Sequence, residues 1–182
     1  MDFPEHIKRK DTVFLGDSLT EGFDLARYFG RKDLKNRGMS GNLTQHVYYR
    51  LEEITNTNPV AVFLMIGIND IFNGVSKDIT LSNIQKILDD INRKCTATKL
   101  FLQSILPVNE TNLIGNENLN LQIYEINNDL RIWCKNKNIT FIDIHPDFLN
   151  EKGEMDMKYT YDGVHLTKEG YLHWAELLKD FI

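Results

Sequence analysis

The fold is decided by residues 12–22, TVFLGDSLTEG, where an apolar run stops at a turn. Thr12 to Leu15 has the β-branched and aromatic side chains of a buried strand, and Gly16 and Asp17 favour a turn after it. Ser18 lies on that turn, so its hydroxyl leaves the sheet where the strand ends. Parallel α/β sheets bind ligands at the carboxyl ends of their strands. The stretch therefore predicts a first parallel strand with a hydroxyl group at the functional edge.

Further apolar bursts alternate with helical periodicity, which is typical of a parallel α/β sheet. Val60–Ile66 is apolar throughout, so we expect a central strand covered on both faces. Residues 100–105 and 139–144 predict two more strands, and residues 34–37 predict a short one. Apolar residues at helical spacing predict four helices between and after them. Their markers are Leu43, Val47, Leu51 and Ile54, after Asn42 as the expected N-cap; Ile84, Ile87, Leu88 and Ile91; Ile123, Ile126, Leu130 and Trp133; and Tyr171, Trp174, Leu178 and Phe181.

These patterns predict an α/β fold, a three-layer α/β/α sandwich with a parallel sheet of about five strands. We expect one domain over residues 1–182, a length that can bury a core. The formal net charge of −5 and the lack of a Lys/Arg cluster argue against a nucleic-acid partner. The longest apolar run is too short for a membrane span, and residues 1–10 lack the apolar centre of a signal peptide. We therefore expect a cytoplasmic protein, with Cys95 and Cys134 as free buried thiols.

Three later segments supply the polar partners that Ser18 needs. His165 is the expected base, because a serine becomes a nucleophile when a neighbouring base takes its proton. Asp162, three residues earlier, can accept a hydrogen bond from the imidazole and fix its tautomer. Gly41 through its backbone N–H and Asn69 through its side-chain amide are the expected donors to an oxyanion, with the Ser18 N–H as a third. The set predicts a serine esterase that works through an acyl-enzyme.

Simpler roles compete for several of these residues. Gly41 also suits a tight turn, and Asn69 could close a loop, since Asn often caps turns. An arbitrary His near an Asp is usually a structural residue, but His165 follows the right partners and precedes the last helix. Asp17 and Asp70 are expected to hold their turns through backbone hydrogen bonds.

The segments around these residues resemble the blocks of the SGNH (GDSL) hydrolase superfamily, from about Thr12 to the terminal helix. In that resemblance Ser18 is the nucleophile, Gly41 and Asn69 are oxyanion-hole residues, and Asp162 and His165 form the Asp-x-x-His block. Residues 36–44 and the following helix are most similar to the platelet-activating factor acetylhydrolase type. The resemblance implies a flavodoxin-like sandwich, no cofactor, and a small-molecule ester substrate with a short acyl group, often acetyl. The alcohol half stays open, with acetylated carbohydrates, lipids and thioesters as alternatives.

Other candidates have weaker support. Residues 107–120 form either a substrate lid or a solvated connection. Apolar side chains at Met39, Ile71 and Phe72 could line an acyl pocket or pack in the core. The remaining candidates are His145 as a structural residue, His6, His46 and His173 as surface or interface residues, Tyr159 and Tyr161 near a leaving group, and Tyr48–Tyr49 at a homo-oligomer interface.

Three other classes of function remain as alternatives. A metal-dependent phosphoesterase would share the Gly-Asp, Asn-Asp and late His, but a two-metal site needs several His residues and bridging carboxylates. A non-catalytic binding domain could keep the fold. Flavodoxin-type cofactor binding is disfavoured because no Gly-rich phosphate loop follows the first strand.

Overall fold

Strand β1 (Thr12–Gly16) lies inside a parallel sheet in the computed structural model, which describes residues 6–113 and 118–182. The other strands are β2 (Leu34–Gly38), β3 (Ala61–Met65), β4 (Lys99–Gln103) and β5 (Ile139–Ile142). Their order is β2-β1-β3-β4-β5, and every neighbouring pair is parallel. This is the flavodoxin-like order. All five predicted strands are confirmed, close to their expected ends.

Both faces of the central strands are covered, as the apolar runs require. Val13 and Leu15 of β1 face one core cluster, whereas Phe14 between them faces the other. Phe14, Phe63 and Phe101 are in register across three strands, and their rings stack at centroid distances of 4.8 and 4.3 Å. Stacked aromatic pairs contribute about 0.5–1.5 kcal/mol beyond the area that they bury. The ladder therefore helps to fix the register of the sheet.

Eight α-helices occupy the described part of the chain. They are α1 (Ser18–Glu21), α2 (Leu25–Phe29), α3 (Thr44–Tyr49), α4 (Glu52–Thr55), α5 (Ile68–Phe72), α6 (Lys77–Lys94), α7 (Leu119–Cys134) and α8 (Lys168–Leu178). Residues of α3 to α7 pack into the cluster on one face of the sheet, and residues of α1, α2 and α8 pack into the cluster on the other. The predicted three-layer α/β/α sandwich is confirmed.

Two predicted helices differ from the observed ones. The expected helix after Asn42 is broken into α3 and α4 at Arg50, and Leu43 rather than Asn42 is the N-cap residue. The Asn42 side chain instead accepts a hydrogen bond from Arg50 Nε at 2.9 Å. The last helix ends at Leu178, and Phe181 belongs to a short 3-10 turn. Apolar spacing predicts which residues are buried, but tertiary hydrogen bonds decide where each helix stops.

The carboxyl ends of β1, β2 and β3 lie at one level and form the carboxyl edge of the sheet. Gly16 is in register with Gly38 on one side and with Met65 on the other. A Cβ atom on Gly38 would lie 2.0 Å from the backbone nitrogen of Glu21, so α1 rests directly on the end of β2. This close approach brings the first turn after β1 against the loop that follows β2.

Cys95 and Cys134 are free and buried, as predicted. Burial raises the pKa of both thiols, that of Cys134 to about 11. Thiols that stay protonated at neutral pH are poor nucleophiles. Among the residues that the structure describes, no helix combines the length and apolarity needed to cross a bilayer.

Replacing Gly38 by Ala should force α1 away from β2 and lower the free energy of unfolding by about 3 kcal/mol, the upper end of the usual cost of overpacking. Urea denaturation measures this loss. Gly153→Ala is the control, because its Cβ would meet no atom within 4 Å and only the positive φ of 77° is strained. That strain costs about 1–2 kcal/mol. Equal losses in the two variants would contradict the close packing of α1 on β2.

Candidate active site

Ser18 and His165 meet at the carboxyl edge although 147 positions separate them in the chain. The distance from Ser18 Oγ to His165 Nε2 is 3.1 Å, and that from His165 Nδ1 to Asp162 Oδ2 is 2.7 Å. A carboxylate can only accept, so the ring proton lies on Nδ1 and Nε2 is left to accept from the serine hydroxyl. This is the tautomer that a serine nucleophile needs.

The Asp162 carboxylate organises the loop that carries His165. Its Oδ1 accepts the backbone N–H groups of Val164 and His165 at 2.9 and 2.7 Å, while Oδ2 accepts from the imidazole. Partial burial by itself raises the pKa of Asp162, but the hydrogen bonds from the His165 ring and the two backbone groups outweigh it, and the pKa lies below its ordinary value. Asp162 is therefore ionised at neutral pH, as a partner for an imidazolium must be.

The start of segment 107–120 supports this loop. The backbone N–H of Asn109 donates to the carbonyl of Gly163 at 2.8 Å, and its side-chain amide donates to the carbonyl of Met155 at 2.8 Å. Asn109 is buried. Asn109 thus holds the Asp162 loop through Gly163. Residues 114–117, in the centre of this segment, lie outside the described residues, so a substrate lid and a solvated connection both stay open.

Ser18 is the first residue of α1, as expected, although α1 is only four residues long and its dipole is small. Asp17 precedes it as N-cap and accepts the backbone N–H of Leu19 at 3.0 Å, so the predicted turn-holding role of Asp17 is confirmed. The Asp17 carboxyl is fully buried, and this burial raises its pKa to about 7, against the opposing effects of the Leu19 hydrogen bond and the nearby His165.

The loop after β2 carries Gly41 and is fixed to the first turn at two points. Met39 N–H donates to the carbonyl of Gly16 at 3.2 Å. The Ser40 backbone N–H donates to Glu21 Oε2 at 3.2 Å, and the Ser40 hydroxyl donates to the same oxygen. Gly41 follows with a φ of 73° and is exposed. Its backbone therefore lies on the loop that borders Ser18.

Asn69 lies in the first turn of α5, after the carboxyl end of β3. Gly67 supports this sharp turn with a φ of 132°, and a Cβ atom there would lie 2.7 Å from Ile105 Cδ1. The Asn69 amide Nδ2 donates to the carbonyl of Asn42 at 3.1 Å. Since an amide nitrogen carries two hydrogens, one of them fixes the group to the Gly41 loop and the second can serve an oxyanion.

Asp70 links α5 to the start of α3, which follows the Gly41 loop. Its carboxylate accepts from the backbone N–H of Thr44 at 2.9 Å and from the Thr44 hydroxyl at 2.5 Å. Burial raises the pKa of Asp70, and the two Thr44 hydrogen bonds partly offset the rise. Its predicted structural role is confirmed in a modified form, because the bonds run to α3 rather than within its own turn.

The remaining candidates differ in their exposure. Tyr161 is 66% exposed, and its ring stacks on the His165 imidazole at a centroid distance of 6.0 Å. Tyr159 is buried against Phe148 and His173. Ile71 is buried in the core, Met39 and Phe72 are half-buried, and His6 and His46 are exposed. Burial lowers the pKa of His145, whose backbone N–H donates to Ser104 Oγ at 2.9 Å.

Three functional contacts were not predicted from the sequence. They are the Asn42 carbonyl as acceptor for the Asn69 amide, Glu21 as the partner of Ser40, and Arg50 as donor to the carbonyls of Gly16 and Arg37. Only Arg50 left a signal, because it falls three residues after Val47 on the apolar stripe of the predicted helix. Within residues 6–113 and 118–182, no group of three or more His, Cys, Asp or Glu side chains is arranged to hold a metal ion.

A serine, an imidazole and a carboxylate joined in this order at the carboxyl edge of a flavodoxin-like sheet have the geometry of a serine hydrolase site. The model of the GDSL-like lipase/acylhydrolase family matches residues 14–172, so the chain belongs to that family and is an ester-bond hydrolase.

Individual relatives agree with this assignment. Platelet-activating factor acetylhydrolase IB subunit alpha2 of Rattus norvegicus is 27% identical over 183 residues, which cover 96% of this chain and 77% of that one. The structure of a GDSL-like lipase from Bacteroides thetaiotaomicron is 25% identical, with a TM-score of 0.84 over 95% of this chain and 87% of that one. An acetylxylan esterase from Geobacillus stearothermophilus shares the fold, with a TM-score of 0.75, 18% identity and coverage of 95% and 94%.

The buried Asp17 carboxyl should give the protein a stability that depends on pH. Because its pKa rises from 3.8 to about 7 on folding, the folded state binds the proton more tightly. The resulting stabilisation is complete below the unfolded pKa and is lost as the pH rises through about 7. Asp17→Asn keeps an oxygen acceptor for Leu19 but does not titrate.

Urea denaturation of wild type and Asp17→Asn across this pH range tests the prediction. The difference in free energy of unfolding, wild type minus variant, should fall as the pH rises from about 4 to about 7. A difference that is constant over the range would show that the carboxyl keeps an ordinary pKa in the folded protein.

Proposed function

We propose that the protein hydrolyses short-chain carboxylic esters, acetyl esters above all, through an acyl-enzyme on Ser18. The observation that carries the proposal is the continuous hydrogen-bonded chain from Ser18 Oγ through His165 to Asp162. The side chains of His165 and Asp162 are 39% and 41% exposed, so an ester can approach from solvent. The acyl-hydrolase family of the chain supports the same chemistry.

In the first step Ser18 Oγ attacks the ester carbonyl carbon while His165 Nε2 takes the hydroxyl proton. The carbonyl π electrons move to oxygen, and the backbone N–H groups of Ser18 and Gly41 and the Asn69 amide donate to that oxyanion. Asp162 stabilises the imidazolium that forms. As the tetrahedral intermediate collapses, His165 gives its proton to the departing alkoxide, and an alcohol leaves.

In the second step His165 takes a proton from water, and the hydroxide formed attacks the acyl carbon. The same donors hold the second oxyanion. Collapse breaks the bond to Ser18 Oγ, which recovers its proton from His165, and the carboxylic acid is released. No cofactor takes part in the proposed cycle.

The acyl preference is proposed from the relatives. The rat relative is by name an acetylhydrolase, and the bacterial fold neighbour is by name an acetylxylan esterase. Acetylated carbohydrates and acetylated lipids are the two proposed classes of substrate. The cytoplasmic location, the single domain over residues 1–182 and the homo-oligomer remain predictions.

The nucleophile is tested with p-nitrophenyl acetate, butyrate and octanoate. Wild type should hydrolyse the acetate fastest, and EDTA should leave the rate unchanged. Ser18→Ala should lose nearly all turnover, because no other group takes over the attack on the carbonyl. Ser82→Ala, on α6, serves as the matched control and should keep wild-type activity. Turnover that survives in Ser18→Ala, or that EDTA abolishes, would contradict the serine mechanism and return the metal-dependent phosphoesterase to consideration.

The oxyanion role of Asn69 is tested by Asn69→Ala. Loss of one pre-aimed donor should lower kcat by about 10²–10³ with KM little changed, because the bond forms in the transition state. Steady-state kinetics with p-nitrophenyl acetate measure both constants, and Asn128→Ala on α7 is the control. A near-normal kcat in Asn69→Ala would remove the residue from the proposed oxyanion hole.

A further inference from the structure

Arg50 lies at the break between α3 and α4, and its side chain is only 16% exposed. Its Nε donates to Asn42 Oδ1 at 2.9 Å, and one terminal nitrogen donates to the carbonyls of Gly16 and Arg37 at 3.0 and 2.8 Å. The other terminal nitrogen pairs with Glu53 at 2.8 Å. One guanidinium therefore contacts the ends of β1 and β2 and the loop after β2.

Three of these contacts, those to Gly16, Arg37 and Asn42, each lead to one proposed oxyanion donor. Gly16 is two residues before Ser18, whose backbone N–H is the first donor. Arg37 is at the end of β2, where the loop that carries the Gly41 N–H begins. Asn42 holds the third donor directly, because its carbonyl accepts from Asn69 Nδ2 at 3.1 Å. The guanidinium thus contacts two of the three segments whose relative positions the oxyanion hole requires, and it reaches the third, α5, through Asn42.

The shape of the guanidinium explains why an arginine stands here. Its donors are coplanar and point in fixed directions, so they set the directions of several acceptors at once. A lysine ammonium is a point charge on a flexible stem and cannot copy that fork. The Gly16 carbonyl also accepts from Met39 N–H at 3.2 Å, so both of its lone pairs are engaged. The end of β1 is held from two sides.

Stability alone is a weak explanation for this arrangement. Taking a guanidinium out of water is costly, and well-packed apolar residues often stabilise a protein as much as a buried ion pair does. Arg50 occupies an apolar-stripe position between Val47 and Ile54, where such a residue would pack. The helix also breaks at Arg50, whose backbone has a φ of −102° and a ψ of 12°.

We propose that Arg50 is a positioning residue that sets the mutual geometry of the three oxyanion donors. It acts through the Gly16 and Arg37 carbonyls and through Asn42, and it does not touch substrate. The inference rests on the proposed function, in which those donors hold the tetrahedral oxyanion. Misplacement of reacting groups by about 1 Å can cost about 10²-fold in rate, so small shifts of these loops matter.

The first test compares Arg50→Lys with Glu53→Gln on p-nitrophenyl acetate. Arg50→Lys keeps the charge but loses the fork, and it should lower kcat by about 10- to 100-fold with KM within about threefold of wild type. Glu53→Gln removes the negative charge that pairs with Arg50 but leaves its bonds to Gly16, Arg37 and Asn42 in place. Because Glu53 is linked to no oxyanion donor, this variant should keep near-normal kcat. Urea denaturation at the assay temperature verifies that both variants are folded. A normal kcat in folded Arg50→Lys, or equal losses in the two variants, would overturn the proposal.

The second test is a double-mutant cycle with Asn69→Ala, which separates positioning from a general structural effect. If Arg50 acts through the Asn69 amide, the fall in kcat caused by Arg50→Lys should be at least several-fold smaller in the Asn69→Ala background. Fully additive losses would overturn the proposal. Asn42→Ala serves if Arg50→Lys does not fold, because it removes the acceptor for Nε and keeps the Asn42 carbonyl. The same sub-additive result is expected for it, and additivity would again overturn the proposal.

The kinetic results distinguish the acyl-enzyme mechanism from the positioning role of Arg50. Turnover in Ser18→Ala would remove the proposed function and the Arg50 role with it. Turnover that needs Ser18 and Asn69, together with additive losses for Arg50→Lys, would remove only the positioning role of Arg50.

Discussion

The parallel pairing of β1 with β2 and β3 determines where the site residues leave the sheet. It places Gly16 level with Gly38 and Met65, so the three chain segments leave the sheet at one edge. Side chains on both faces of β1 and β3 are almost fully buried, and a slip of one residue would exchange the two faces. The apolar core therefore fixes the register, and the register fixes where Ser18 emerges.

The polar groups at this edge are held by neighbours from other segments. Asp70 binds Thr44 and Glu21 binds Ser40, so each of these two bonds fixes one segment to another, whereas Asp17 caps its own turn. Buried carboxyl groups are costly unless they are hydrogen-bonded or protonated, and the raised pKa values of Asp17 and Asp70 reflect that cost. Asp162 lies nearer to solvent, accepts three hydrogen bonds and stays ionised. Environment thus gives similar side chains different roles.

Much of this arrangement could be predicted from sequence because it depends on local patterns. Apolar runs gave the strands, and the positions of Ser18 and of the Asp-x-x-His segment relative to them predicted the hydrogen-bonded chain that the structure contains. The break at Arg50 could not be predicted in the same way. Hydrophobic spacing carries no information about the hydrogen bonds that Arg50 donates to the distant carbonyls of Gly16 and Arg37. Asn42 illustrates the same limit, since a residue before an apolar stripe suggests a cap. Its actual partners, Arg50 and Asn69, are brought to it only by the tertiary fold.

Covalent labelling determines whether Ser18 is the nucleophile. A fluorophosphonate reacts with an activated serine and leaves a stable adduct that intact-mass measurement counts and peptide mapping locates. We expect one adduct per chain, located on Ser18, and much slower labelling in His165→Ala, which lacks the base. An adduct on another residue, or labelling at the same rate without His165, would contradict the assignment of Ser18 as nucleophile and His165 as base.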